Sequence, residues 1–229
     1  MNGSRQQEEQ IVASWYTNAQ PWTRAVRDRA IDSRRLVTDQ AIVDAVLARS
    51  PRSALDVGCG EGWLARALTG AGVQVLGVDA VPELIEAARR AGGGSFRVAS
   101  YADLIAAAQA DRWQRVDVAI CNFALLGEES VASLFQAVPR LLTSGGTFIV
   151  QTLHPLMACG EAPYRDGWRA GSWQGFSSDF SAPAPWYFRT LQSWVQLYGA
   201  SGLRLLEVRE PLHPTSGAPA SVIFIATAG

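Results

Sequence analysis

The chain has 229 residues and a formal net charge of -1, from 20 basic and 21 acidic side chains. Every basic residue is arginine; lysine is absent, and the only histidines are His154 and His213. That composition excludes a lysine Schiff base, the lysine of a phosphate-binding Walker loop and a histidine-rich metal centre, so no metal site is expected.

One domain is the default at this length, with room for an insertion, and a hydrophobic fraction of 48% supports a large core. Near-neutral charge gives no electrostatic case for nucleic acid or an anionic membrane as partner. Cys59, Cys121 and Cys159 are well separated and form no C-x-x-C pair, which argues against a disulfide framework. The polar start MNGSRQQEEQ lacks the apolar core of a secretory signal, and no apolar run reaches the roughly 18 residues of a membrane span. A soluble, cytoplasmic protein is the expectation; oligomeric state is not legible.

In chain order, residues 9 to 49 read as helical, with Ile31, Val37, Ile42, Val46 and Leu47 spaced for one face and Pro51 as the stop. From residue 54 short β-branched runs alternate with alanine- and leucine-rich segments. Strands are expected at 54–57, 73–78, 96–98, 116–121 and 147–150, with helices near 62–71, 82–91, 102–110 and 130–142. This rhythm predicts right-handed βαβ units and a parallel sheet covered on both faces. Residues 153–188 lose the period in favour of Gly, Pro, Ser and aromatics. A helix near 189–200 and two strands, 203–208 and 221–226, close the chain as a hairpin. The expected organisation is a helical cap over 1–52, a core over 53–152, an aromatic-rich insertion over 153–190, and a helix and hairpin over 191–229 that complete the core sheet.

The most informative stretch is Asp56-Val57-Gly58-Cys59-Gly60-Glu61-Gly62, where a strand gives way to a helix. Glycines there permit positive φ and a close ligand approach, with free N–H groups at the helix start. Asp79 ends the next apolar strand, where a carboxylate can accept from both hydroxyls of a ribose. A dinucleotide fingerprint would need a third glycine at position 63, but that residue is Trp63, so NAD is disfavoured.

The G-x-G-x-G loop with an acid two positions before it resembles motif I of class I S-adenosylmethionine-dependent methyltransferases. Val116-Asp117-Val118-Ala119-Ile120-Cys121-Asn122-Phe123 resembles their fourth strand. Leu141-Leu142-Thr143-Ser144-Gly145-Gly146-Thr147 resembles the turn into their fifth, with Ser144 where the family usually has proline. The likeness covers about residues 53 to 152 and is nearest to the small-molecule, quinone-biosynthesis-like branch. It implies a Rossmann-like, doubly wound α/β fold of seven strands, mostly parallel with an antiparallel last strand. It further implies S-adenosylmethionine as cofactor, S-adenosylhomocysteine as product and a small-molecule methyl acceptor attacked in line.

The cofactor-binding set implied by the resemblance is Asp56, Gly58, Cys59, Gly60, Asp79 and Ala80, with Ser100 and Tyr101 after the third strand and Asn122 and Phe123 at the mouth of the fourth. Cys59 also reads as a compact hydrophobic filler, and Asp56 as a structural partner of the loop backbone. The family often has an Asp at the adenine; here the hydroxyl of Ser100 and the backbone N–H of Tyr101 stand in its place.

His154 follows the fifth strand on the carboxyl side of the sheet, where open α/β folds place ligands. It is the candidate catalytic base if the acceptor must lose a proton, and equally a candidate for fixing the loop. Ten of the chain's 21 aromatic residues lie between Tyr164 and Tyr198, as packing for an irregular segment or as walls of an acceptor pocket. A base-flipping nucleic-acid enzyme is disfavoured, since Asn122-Phe123-Ala124-Leu125 replaces the Asn/Asp-Pro-Pro-Tyr/Phe clamp. A non-catalytic cofactor-binding regulatory or assembly protein of the same fold is the other alternative.

Overall fold

The alternating segments fold, in the computed structural model of residues 2–229, into a single seven-stranded sheet with helices on both faces. Two helices precede it, α1 (Asn2–Arg27) and α2 (Asp39–Leu47), separated by a π-helical stretch Arg34–Thr38. The wound core runs β1 (Ser53–Val57), α3 (Trp63–Gly70), β2 (Gln74–Asp79), α4 (Pro82–Ala91), β3 (Ser95–Val98), α5 (Tyr101–Gln109), β4 (Val116–Asn122), α6 (Glu129–Leu141) and β5 (Leu142–Thr152). After it come α7 (Pro155–Cys159), β6 (Gly167–Arg169), β7 (Trp186–Phe188), α8 (Leu191–Ala200), β8 (Leu203–Arg209) and β9 (Val222–Ala228).

Strand order is β3-β2-β1-β4-β5-β9-β8. Pairing is parallel from β3 to β5, and β9 runs antiparallel to both of its neighbours. The order reverses at β1, so the carboxyl ends of β1 and β4 diverge and leave a crevice between the loops that follow them. No helix among the described residues is long and apolar enough to cross a membrane.

Strands β4, β5 and β9 are buried on both faces, which is why they read as continuous apolar runs rather than alternating ones. On one face Phe135 meets Phe148 and Tyr198 edge-on, each at 5.0 Å between ring centroids. On the other, Ile42, Leu64, Ile85, Ile120 and Ile225 form a second buried cluster.

Three differences from the sequence reading have local causes. The helix expected over 9–49 breaks at Arg29, whose φ is +53°. Ala30 N–H bonds back to Ala25 and Arg29 N–H to Val26, a left-handed terminus closed without the glycine that usually marks it. β5 begins earlier than expected because Leu142 pairs with Val116 ahead of a register shift, and the chain turns through Gly145 (φ +75°) before rejoining β4 at Thr147. The irregular insertion contains a short antiparallel pair, β6 with β7, which its Gly, Pro and Ser content conceals.

The helix α1 lies across the carboxyl end of the sheet and is tied down along its length. Glu8 accepts from the N–H groups of Glu128 and Ser130 at the start of α6, at 2.9 and 3.0 Å, where a carboxylate is favoured by the helix dipole. Asn18 bonds Ser181 through both ends of its amide. Near the C-terminus of α1, Arg27 pairs with Glu61, whose wholly buried carboxylate also receives Arg66.

Candidate functional site

Beneath α1 lies a cavity of about 670 Å³ bounded by the carboxyl ends of β1, β2, β3, β4 and β5. Its size falls within the ordinary range for small-molecule sites. Gly58, Cys59, Gly60, Asp79, Ala80, Ser100, Tyr101, Asn122 and Phe123 all line it, whereas Asp56 and His154 do not.

The glycine loop is held by a small set of backbone bonds. Gly58 and Cys59 N–H both donate to the Val78 carbonyl, at 2.8 and 3.0 Å, and Gly60 N–H donates to Asp79 Oδ2 at 2.9 Å. Gly58 adopts φ +75°, and a Cβ there would lie 2.5 Å from the Cβ of Ala124. Both its conformation and its neighbour therefore require glycine. The loop is thereby pressed against the segment after β4, and the cavity wall beside it is main chain.

Asp79 closes β2 with Oδ1 accepting from Val81 N–H at 2.9 Å while Oδ2 holds Gly60. Burial raises its pKa, opposed by backbone N–H bonds from Val81, Gly60 and Ala80. Each carboxylate oxygen retains a second lone pair, so the side chain can still accept from ligand hydroxyls. Asp56 sits under the loop in β1, opposite Gly77 and Ile120. It is 1% exposed, and its Oδ2 has no hydrogen-bond partner among the described residues. Burial, reinforced by the charge of Asp79, pushes its pKa up to about 7.

Beyond β3, the Ser100 hydroxyl is already engaged. It accepts from Asp103 N–H at 3.2 Å and donates to Asp103 Oδ2 at 2.7 Å, while Ser100 N–H also meets that carboxylate, a complete capping box for α5. The hydroxyl is thus a helix cap rather than a free ligand contact, which leaves the Tyr101 N–H at the first turn of α5, where helices have no internal acceptor. The Tyr101 phenol donates to the Ala124 carbonyl at 2.8 Å and ties the two loops together. Asn122 Oδ1 accepts from Gln151 at 2.8 Å, and Phe123 takes φ +53°, an uncommon conformation for an aromatic residue. Such outliers cluster at ligand sites. Cys59 is buried, with its thiol pKa pushed up by desolvation and by Asp56, and it serves as loop packing.

The expectation for His154 as a base facing the cleft is corrected by its placement. His154 stands at the N-cap position of α7 without a side-chain cap bond; the residue is 2% exposed, with Nε2 2.7 Å from Glu210 Oε1 and Nδ1 buried without a partner among the described residues. Pro155 begins α7 and favours the extended backbone of His154, and the imidazole fastens that loop to Glu210.

Of the ten aromatics from Tyr164 to Tyr198, five line the cavity: Phe176, Trp186, Tyr187, Phe188 and Trp194. Others fill the fold. Trp173 packs on Phe176 and Phe180 at 5.4 and 4.7 Å, and on Trp15 of α1 at 5.8 Å. Arg189 is buried, donates to the carbonyls of Gly127 and Glu128 at 2.8 Å each, and lies over the rings of Tyr187 and Trp194. Sequence reasoning did not single out Ile11, Leu126 or Leu153 in this wall, since an apolar residue on a helix or in a loop carries no signal of what it faces.

A family model described as a methyltransferase domain matches residues 55–150. The ubiquinone biosynthesis O-methyltransferase of Xylella fastidiosa (strain M23) is 36% identical over 109 residues, which are 45% of this chain and 43% of that protein. The protein so described from Methylococcus capsulatus is 34% identical over 113 residues, 49% and 48% of the two chains. The chain thus covers less than half the length of these curated relatives. Among solved structures, the 1,6-didemethyltoxoflavin-N1-methyltransferase of Burkholderia thailandensis, with 1,6-didemethyltoxoflavin and S-adenosylhomocysteine bound, matches 100% of this chain and 92% of its own at 17% identity and a TM-score of 0.67. A methyltransferase from Mesorhizobium loti gives 24% identity and a TM-score of 0.58, over 80% and 97% of the chains. At these identities the two likenesses speak for a shared fold.

Proposed function

We propose that the protein transfers a methyl group from S-adenosylmethionine to a small aromatic acceptor by in-line displacement, with residues 55–150, which match a methyltransferase-domain model, as its class I S-adenosylmethionine-binding part. The observation that carries this reading is the continuity of the cavity. One end holds the main-chain glycine loop and the Asp79 carboxylate, and the other is walled by Trp186, Tyr187, Phe188 and Trp194.

The residues fit the cofactor. Asp79 accepts from the ribose hydroxyls, the Tyr101 N–H meets the adenine, and the bare backbone at Gly58 and Gly60 lets the methionyl portion lie against the loop. When bound, S-adenosylmethionine supplies a methyl group already activated by its sulfonium charge. The chain's own contribution is alignment of the acceptor and exclusion of water by the aromatic wall and α1. His154, held by Glu210, acts as a positioning residue for the loop after β5, and an acceptor that carries an O–H reacts as its anion, having given that proton to solvent rather than to the imidazole.

Calorimetry with S-adenosylhomocysteine, followed by mass detection of methylated product from a panel of phenols and aromatic nitrogen heterocycles, tests both halves. Binding together with product from a member of the panel is expected; an absence of S-adenosylhomocysteine binding would refute the reading at its root. Removing one aromatic wall in Trp186→Ala raises KM for an aromatic acceptor roughly 10-fold, the effect of losing part of a buried ring contact. Cofactor Kd stays unchanged. A shift in cofactor affinity instead of acceptor KM would move Trp186 to the other half of the cavity.

A further inference from the structure

Glu8 and Asp79 are the acidic side chains of the cavity wall, and only Asp79 has a part in the binding scheme above. Glu8 stands on α1, and its place in the cavity follows from what it is tied to. Its Oε1 accepts from the N–H groups of Glu128 and Ser130, at 2.9 and 3.0 Å. The same segment carries the aromatic wall: Tyr187 N–H donates to the Leu126 carbonyl at 2.8 Å, and Arg189 donates to the carbonyls of Gly127 and Glu128. Farther along α1, Trp22 meets the glycine loop, with its Nε1 3.5 Å from where a Cβ on Gly60 would stand. At 1.5 Å of rise per residue, Glu8 and Trp22 are about 21 Å apart along the helix. Glu8 therefore belongs to the acceptor end of the cavity, remote from the loop.

The carboxylate is held but not used up. Oε1 takes both backbone bonds, while Oε2 of this half-buried residue is neither bonded nor sealed off among the described residues. The cation of the same wall does not neutralise it: Arg189 spends Nη1 and Nη2 on the two carbonyls and lies over the rings of Tyr187 and Trp194. Glu128 next to it is engaged differently, its Oε2 receiving Ser4 Oγ at 2.8 Å and Trp168 Nε1 at 3.1 Å. Around these groups the wall is aliphatic and aromatic, with Ile11, Leu126, Trp186 and Trp194. An ionised carboxylate only accepts hydrogen bonds. In a wall of low polarity its open lone pairs favour a ligand that brings a donor and disfavour one that brings a negative charge.

We propose that Glu8 is the specificity-determining residue of the acceptor end, its Oε2 accepting a hydrogen bond from an amino or hydroxyl group on the edge of the aromatic acceptor remote from the methylated atom. The assignment rests on the reading of the cavity as a methyltransferase site and narrows its acceptor class. Aromatic molecules with a donor at that edge are taken; aromatic carboxylates are turned away. No proton leaves at this contact, so Glu8 acts by orienting the acceptor. Because Glu8 belongs to α1, the helix that covers the cavity also reads what enters it.

The test is calorimetry on the full chain loaded with S-adenosylhomocysteine, using three naphthols that differ only in the group on the ring away from the hydroxyl: amino, methoxy or carboxylate. Wild-type protein is expected to bind the aminonaphthol about 10-fold more tightly than the methoxynaphthol, the worth of one hydrogen bond to a charged group, and the carboxynaphthol most weakly. Glu8→Gln keeps a carbonyl oxygen for the two backbone N–H groups and puts an amide NH2 in place of Oε2, a donor where there was an acceptor. The aminonaphthol then weakens about 10-fold and the carboxynaphthol gains by a similar factor, while S-adenosylhomocysteine stays within about 2-fold. A role confined to tying α1 to α6 would move all three naphthols alike, and that result overturns the proposal. So does a loss of cofactor affinity in Glu8→Gln, or a wild type that fails to rank amino above methoxy, including by binding none of the three. Wild-type protein that does not bind S-adenosylhomocysteine overturns the methyltransferase reading instead. Should Glu8→Gln fail to fold, the wild-type ranking decides: amino above methoxy above carboxylate supports the assignment, and any other order rejects it.

Discussion

An Asp79→Ala variant binds S-adenosylhomocysteine about 100- to 10,000-fold more weakly than the wild type, since two charge-assisted bonds to ribose hydroxyls are lost at about 1.5–3 kcal/mol each. The carboxylate has a second duty that adds to the effect. Oδ2 anchors Gly60 N–H and Oδ1 anchors Val81 N–H, so alanine also releases the turn of the glycine loop before any ligand arrives. Asp79→Asn separates the two contributions. Its remaining carbonyl oxygen still accepts one backbone bond, but its amide cannot accept from the second hydroxyl, so its affinity falls between those of Asp79→Ala and the wild type. Titration calorimetry on the three proteins reads the series, and thermal melts without ligand report the loop-anchoring part alone. If Asp79→Ala bound within about 3-fold of wild type, less than a single neutral hydrogen bond, the ribose assignment would be wrong.

How far the sequence could carry this site depends on which kind of information each residue needed. The strands and helices between Ser53 and Thr152 were legible because β-branched runs and alanine-rich stretches alternate with little interruption, and the motif residues sit at the junctions between them. The placement of Gly58, Gly60 and Asp79 was legible for the same reason: they stand at the ends of β1 and β2, where strand gives way to loop. His154 was not. Its partner Glu210 lies 56 residues downstream, and nothing local states whether a side chain after a strand turns toward the crevice or toward a hairpin. The break at Arg29 was hidden because a left-handed helix terminus there uses arginine in place of glycine.

Ser100 shows a subtler limit. Its position after β3 was correct for a cavity residue, but Ser-x-x-Asp is also the signature of a capping box, and the hydroxyl serves Asp103. Residues defined by chain geometry can be read early; residues defined by what packs around them cannot.

Asp56 illustrates how that packing becomes measurable without any ligand. Burial, then the charge of Asp79, pushes its pKa from 3.8 up to about 7. The native state therefore holds a proton on Asp56 across a range in which the unfolded chain has already released it. Because the unfolded state binds fewer protons there, stability falls as pH rises from about 4 to about 7 and then levels off. The full penalty above that window is about 4 kcal/mol, and between pH 5 and pH 8 the decline is roughly 2–3 kcal/mol. Asp56→Asn, which removes the titrating proton at nearly constant shape, abolishes this component. Its unfolding free energy, measured in urea, gains on the wild type by that amount between the two pH values. Asp79→Asn acts in the same direction by another route, since removing the neighbouring charge lowers the Asp56 midpoint and narrows the window from above. Parallel pH profiles for wild type and Asp56→Asn would mean that the carboxyl under the glycine loop ionises as freely in the fold as in the unfolded chain, and that its burial is matched by a charge-stabilising partner.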